Sequence, residues 1–506
     1  MSQKKCTFAA FFLNRIMITF IISVVLLILG YWLYSKLIER VIGVDPKRVT
    51  PAVEHPDGVD YVPMKPWRIF LIQFLNIAGV GPIIGAVMGA QFGTASFLWI
   101  VFGCIFAGAV HDFIAGFISL RQDGASLPEI HGKYVGNGMK QFMRGFTVVL
   151  MILVGAVFVN TPATLLTQDI FVPEGLRHLD HSMIQYFWVI LIFIYYLLAT
   201  MLPIDKIIGK IYPVFGILLL AMAVALVVAF VVYQVPLREV WEGLENSHPQ
   251  AATNPIFPMM FISIACGAIS GFHATQSPLM ARCMVNEKQA RPIFYGAMIA
   301  EGVVALIWAA AAAYFFHDHP EICFGKSGAA MVGVIANQWF PSIIAFITIL
   351  GVVSAAVTSG DTALRSARLI VADFMHVDQK PILKRLYVAL PVFVMAAALL
   401  IFSLVDNEGF QVIWRYFSWA NQFLAMVTLW AVTVFLAKLL PGKAWYWITL
   451  VPALFMSMVT ISFLMVAQGE GLGSILPHPV GYTIAAAITL ALGVLFFVRM
   501  KKNTIK

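Results

Sequence analysis

Charge is scarce in this chain: Asp, Glu, Lys and Arg make up 11% of the 506 residues, against 60% hydrophobic residues. A soluble domain carries roughly a quarter charged residues, so a water-soluble globular fold is excluded and a lipid bilayer is the expected solvent. Long polar stretches are missing too. Apolar runs of about 20 residues, enough to cross a bilayer, follow one another with short polar connections between them. Cysteine is sparse: Cys6, Cys104, Cys266, Cys283 and Cys323 are dispersed, odd in number and without CxxC spacing. That excludes a disulfide framework or a zinc site and leaves reduced, buried fillers. No Gly-rich phosphate loop is present to suggest ATP drive, and nothing resembles an ion-selectivity filter. The formal charge of +8 has no basic patch with interleaved aromatics behind it, so no nucleic-acid partner is expected.

What is there is an all-α polytopic membrane protein of about 13 spans, forming a single transmembrane domain over 1–506. Apolar runs punctuated by Gly, Pro and charge place α1 near 16–36, α2 near 68–92, α3 near 96–120 and α4 near 145–167. Then come α5 near 185–203, α6 near 211–233, α7 near 257–281, α8 near 292–316 and α9 near 335–368. The last four are α10 near 385–405, α11 near 411–437, α12 near 444–468 and α13 near 480–499. The first run has the basic flank of a signal peptide but no small-residue cleavage site, so α1 is expected to be retained.

Lys and Arg test these boundaries. Loops that alternate between rich and poor in basic residues imply correctly placed spans. One set of connections and the C-terminus hold 26 of the 33 Lys and Arg. The other set holds Arg177, Arg238 and Lys326, with Arg415 opening α11 and Lys4, Lys5 and Arg15 preceding α1. The bias puts the C-terminus in the cytoplasm and, with thirteen spans, the N-terminus outside.

Two spans carry helix-breaking sequence at mid-depth. In α2 it is Gly79-Val80-Gly81-Pro82, where a helical hydrogen bond is expected to be lost at Pro82. In α7 it is the segment from Gly267 to Phe272, with Pro278 beyond it. Unwound backbone survives at membrane depth only where protein or a water-filled cavity satisfies it. With α1 as an extra helix, the breaks fall in the first and sixth of the remaining twelve, in opposite orientations. That is the pattern of two inverted five-helix repeats, 68–233 and 257–437, with 444–499 appended and a binding site at the midplane.

At these residues the sequence resembles the carbon starvation protein CstA family. The resemblance rests on Asn76 to Gly93, Ala107 to Phe113, Cys266 to Ala274, Ser359 to Phe374 and Ser418 to Ala425. It implies a LeuT-type fold with discontinuous helices. It also implies a secondary importer of pyruvate or peptides under nutrient limitation, with a proton gradient as the drive and no cofactor. The partners would be the lipid bilayer and a small-molecule or peptide substrate.

Charged groups inside spans are expensive and so are functional candidates. Glu301 lies about nine residues, roughly 13 Å, into α8; a carboxylate taken out of water favours its protonated form, which suits a proton carrier. On α3, Gly108, Asp112 and Gly116 form a small-residue stripe that lets a neighbouring backbone approach. Asp112 there suits either ion coupling or capping of a broken helix, and His111 suits packing. His273 suits a hydrogen bond to a carboxylate substrate or the capping of its own break. Freed amides at Gly79, Val80 and Gly81 and at Ser270, Gly271 and Phe272 suit an anionic group. On α9, Ser354, Thr358, Asp361, Thr362 and Arg365 share a face. The resemblance would let the hydroxyls, Thr358 among them, hold sodium, while Asp361 is a candidate for ion coupling or forms an ordinary salt bridge with Arg365. Asn421 and Gln422, with Trp419, either line the pathway or join helices. A haem-bearing redox protein is the rival from another class, but His111 and His273 have no second facing pair.

Overall fold

The computed structural model describes residues 17–202, 208–323, 325–406, 409–467 and 476–504. Cys6, Lys4, Lys5, Arg15 and Lys206 lie outside the described residues. Every regular element among the described residues is helical. Eleven helices there are long and apolar enough to cross a membrane: α1 (Ile18–Ile42), α3 (Ala95–Arg121), α4 (Asn137–Leu165), α5 (His181–Met201), α6 (Ile211–Val232) and α8 (Glu287–Asp318), then α9 (Ser342–Met375), α10 (Ile382–Val405), α11 (Gly409–Leu439), α12 (Ala444–Val466) and α13 (His478–Lys501). The two remaining expected spans are both interrupted.

In α2, α2a (Pro66–Ile77) and α2b (Val80–Phe92) meet at a bend of 43°. The break lies at Ala78 (φ −75, ψ 45) and Gly79 (φ −73, ψ −152), earlier than expected. The reason is steric: a proline ring clashes with the carbonyl four residues back, which for Pro82 is that of Ala78. Pro82 itself sits in the first turn of α2b, where a missing N–H costs nothing. In α7, α7a (256–263) and α7b (Gly271–Ala281) are separated by seven non-helical residues. Gly271, Phe272 and His273 are thus the opening turn of α7b rather than part of the break.

The run expected as α9 also divides. A separate helix, Gly328–Trp339, is capped by Ser327, whose side chain accepts from Ala330 N, and ends at Phe340-Pro341. The residue before a proline is held extended, as Phe340 is (φ −119, ψ 145), so α9 starts afresh at Ser342.

Among the described residues, several connections gather into two groups. At one, Glu287 receives Arg121 Nε at 3.0 Å and Asp45 N at 2.8 Å and faces Arg48, while Arg499 near the end of α13 donates to Val135 O. This is the basic face. At the other, Glu239 caps α1 by accepting from Ile18 N at 2.9 Å and Thr19 N at 2.7 Å. A carboxylate there complements the helix dipole and fixes the start of α1 beside the 234–256 connection.

Within the bundle α4 packs on α9 and α10, α6 on α9, α2b on α8, and α7b on α3 and α11. The outer helices present apolar side chains such as Ile190, Val224, Val394 and Leu490. Four described cysteines, Cys104, Cys266, Cys283 and Cys323, are buried and unpaired, in line with their reading as fillers.

Candidate functional site

Each break is closed by side chains of another helix. Asn421 on α11 accepts from Phe272 N (2.7 Å) and Ser270 Oγ (3.0 Å) through Oδ1 and donates to Ala265 O (3.1 Å) through Nδ2. Gln422 Nε2 donates to the same carbonyl at 3.0 Å. The pair therefore satisfies the orphan groups of the broken α7. On α9, Thr358 Oγ1 and Ser359 Oγ donate to Leu75 O, at 3.0 and 3.2 Å, below the α2 break. One amide expected to meet an anion, that of Phe272, is thus already taken by Asn421.

Asp361 does not pair with Arg365. Its two oxygens accept from Tyr195 (2.8 Å) and Tyr212 (3.1 Å), and Tyr212 Oη also lies 2.9 Å from Asn76 Oδ1. Arg365 turns to the carbonyls of Ala199 and Leu202 instead. The i,i+4 spacing allowed the pair, but buried hydroxyls and carbonyls offer shorter contacts.

The polar residues singled out on α3, α7 and α8 form one buried chain. Asp112 Oδ1 lies 2.8 Å from His111 Nδ1 and Oδ2 lies 2.9 Å from His273 Nδ1. Across the same ring, His273 Nε2 is 3.3 Å from Glu301 Oε2. All four side chains have no solvent exposure. Both Glu301 oxygens lack a hydrogen-bond partner among the described residues. His273 rises from the first turn of α7b, so the break positions it; Asp112 reaches it because Gly108, one turn earlier on α3, has no Cβ and lies against the Ala268 carbonyl. Carboxylate, imidazole and carboxylate in series can hold one proton more or fewer without exposing a charge to lipid.

The two breaks touch. A Cβ on Gly81 would strike Cys266 Sγ, and one on Gly267 would come within 3.8 Å of Pro82. Above them, away from the basic face, a cavity of about 830 Å³ descends between Ile84 and Met88 of α2b and Ser263 of α7a, walled by Phe410 and Trp414. Arg238, Lys326 and Arg415 also line it, and among the described residues no carboxylate does. Three of the four basic residues assigned to this face within the described chain thus converge on one opening.

Sequence reasoning missed Asn76, Tyr195, Tyr212, Ser359 and Asp60.

A family model described as carbon starvation protein CstA matches residues 15–175, 172–338 and 319–463. The chain belongs to that family. It is 44% identical over 341 residues to an uncharacterized membrane protein of Haemophilus influenzae, covering 60% of this chain and 92% of that one. It is 27% identical to the peptide transporter CstA of Campylobacter jejuni (92% and 81% covered) and 30% identical to the pyruvate/proton symporter BtsT of Escherichia coli (60% and 50%). Among solved structures, MhsT in complex with L-phenylalanine superposes with a TM-score of 0.57 at 13% identity, over 80% of this chain and 99% of that one. The Eremococcus coleocola manganese transporter gives 0.54 at 12%, over 88% and 99%. At such identities the likeness shows the fold alone, which is LeuT-type. This CstA-family chain is therefore a multi-pass membrane transporter.

Proposed function

We propose that this transporter imports a small carboxylate-bearing nutrient, pyruvate or a short peptide, under carbon limitation, in symport with protons and by alternating access. The observation that carries the reading is His273, held between Asp112 and Glu301 at the start of α7b. Protonation of that chain alters the charge next to both breaks, so proton occupancy and the packing of α7b are linked. The first amides of α2b, at Val80 and Gly81, offer a helix N-terminus to the substrate carboxylate, and the basic-lined cavity steers anions toward it. The names of the Campylobacter jejuni and Escherichia coli relatives agree with this substrate class. Transport rather than catalysis is the role assigned.

A sodium-coupled reading draws on Thr358, Ser359 and Leu75 O, three oxygens converging at the α2 break. Uptake of labelled pyruvate and of labelled di- and tripeptides into proteoliposomes separates the two. Accumulation under an imposed proton gradient in sodium-free buffer is expected; accumulation that needs sodium and ignores the pH gradient would replace the proton reading with the second.

A further inference from the structure

Four arginines are buried at the basic face: Arg282 after α7b, Arg365 and Arg368 on α9, and Arg385 on α10. Three have acceptors. Arg282 Nε donates to Gly124 O at 3.0 Å, its guanidinium lies over the Tyr61 ring, and Asp373 is 3.9 Å away. Arg385 donates to the carbonyls of Met201 and Lys380, and Arg365 Nη2 to those of Ala199 and Leu202. Arg368 has none. Its Nε, Nη1 and Nη2, together with Nε and Nη1 of Arg365, lack a hydrogen-bond partner among the described residues, although the two residues are 0% and 1% exposed.

Among the described residues, Asp60 is the one carboxylate within 4 Å of this pair. Asp60 Oδ1 lies 3.8 Å from Arg365 Nη1 and 3.5 Å from Arg368 Nη2, within ion-pair range but too far for good hydrogen bonds, and Oδ1 itself is unpartnered. Two planar forks with five unfilled nitrogens are more than one carboxylate at that distance can serve. Buried guanidinium groups left so are costly, and the donor geometry is the one that recognises a planar oxyanion in bidentate fashion.

We propose that Arg365 and Arg368 form a second anion site, for a small carboxylate, which Asp60 masks. Asp60 is carried by the connection that leads into α2a. Asp57 Oδ1 folds that connection by accepting from the amides of Val59, Asp60 and Tyr61, and Met64 N ties it to Cys283 O at 3.1 Å. As a tethered carboxylate, Asp60 competes with free anions at high effective concentration. Movement of α2a withdraws it and leaves two arginines for the carboxylate of the solute leaving toward the basic face. The site rests on the proposed function only for the identity of that solute.

The test uses the full chain in nanodiscs with His273→Ala as background, so that binding at the central site is weakened, and pyruvate as the probe with inorganic phosphate as the rival anion. Asp60→Asn should tighten pyruvate binding about tenfold by removing the internal competitor, and Asp60→Asn with Arg368→Gln should abolish it. Unchanged pyruvate binding in Asp60→Asn overturns the proposal, as does a site that takes phosphate but not pyruvate. Should Arg368→Gln fail to fold, the Asp60→Asn titration decides alone. Tightened binding in Asp60→Asn alongside a wild type that does not accumulate pyruvate would retain this site while rejecting the transport reading.

Discussion

His273 Nε2 and Glu301 Oε2 face each other across 3.3 Å, from α7b and α8, with neither residue exposed to solvent. An imidazole between two carboxylates is anchored at Nδ1 by Asp112 and faces at Nε2 a carboxylate that has no hydrogen-bond partner among the described residues. If Glu301 carries the proton, Glu301→Gln keeps the side chain's shape and removes its charge cycle. Proton-driven accumulation should then fall to the level of equilibration while substrate exchange persists. Normal accumulation by this variant in a proteoliposome assay would make Glu301 structural.

Loss of the ring should act differently. His273→Ala leaves Asp112 and Glu301 buried without their shared partner, and an uncompensated buried charge is strongly unfavourable. Substrate binding itself should weaken, by about tenfold or more, which corresponds to roughly 1.4 kcal/mol. Calorimetric titration of purified protein reads this directly, and unchanged affinity would remove His273 from the binding site.

Asn421 tests the closure of the α7 break. Asn421→Ala deletes one acceptor and one donor serving Phe272 N, Ser270 Oγ and Ala265 O, with an expected cost of about 1–3 kcal/mol and a lower unfolding midpoint. Asn421→Asp keeps the acceptor for Phe272 N and should lose less. Equal effects of the two substitutions would mean that the acceptor contributes little.

Contact between the breaks is open to a double-mutant cycle. Gly81→Ala inserts a methyl group into Cys266 Sγ, and overpacking of this kind costs about 1–3 kcal/mol. Cys266→Gly removes the obstructing sulfur and the Cβ behind it, so the double variant should recover much of the loss. Additive effects in thermal unfolding would show that the two segments are not in contact in the membrane.

Sidedness follows from the basic face. A tag after Lys506 should be cytoplasmic and one inserted in 234–256 external, because Lys and Arg gather on the cytoplasmic side. Reporter fusions giving both tags the same side would refute the arrangement.

Much of this was legible because membrane depth makes polarity conspicuous: His111, Asp112, His273 and Glu301 each stand out on apolar helices. Their adjacency was not legible, since Asp112 and His273 are 161 positions apart and no local period reports on such a contact. Pro82 announced the α2 break, yet its ring acts four residues upstream and so the break sits at Ala78 and Gly79. Phe340-Pro341 was read through as helix because the flanking apolar residues are continuous, although proline restricts the residue before it. Asp361 and Arg365 fit a salt bridge by spacing alone, and only the fold could supply Tyr195, Tyr212 and the carbonyls that separate them. Nothing local marks Asp60, because the arginines it faces, Arg365 and Arg368, lie far along the chain.

The closure of α7 by α11 also bears on how the chain is made. Ala265 O and Phe272 N find their partner in Asn421, 156 and 149 positions further along, while unsatisfied backbone groups in the hydrocarbon region cost several kcal/mol each. During synthesis α7 emerges well before α11, so it has to wait as an incomplete span, sheltered by earlier helices, water or the insertion machinery. Its final seating belongs to a late step of membrane assembly, and a chain truncated before α11 should hold α7 loosely even though every residue of α7 is present.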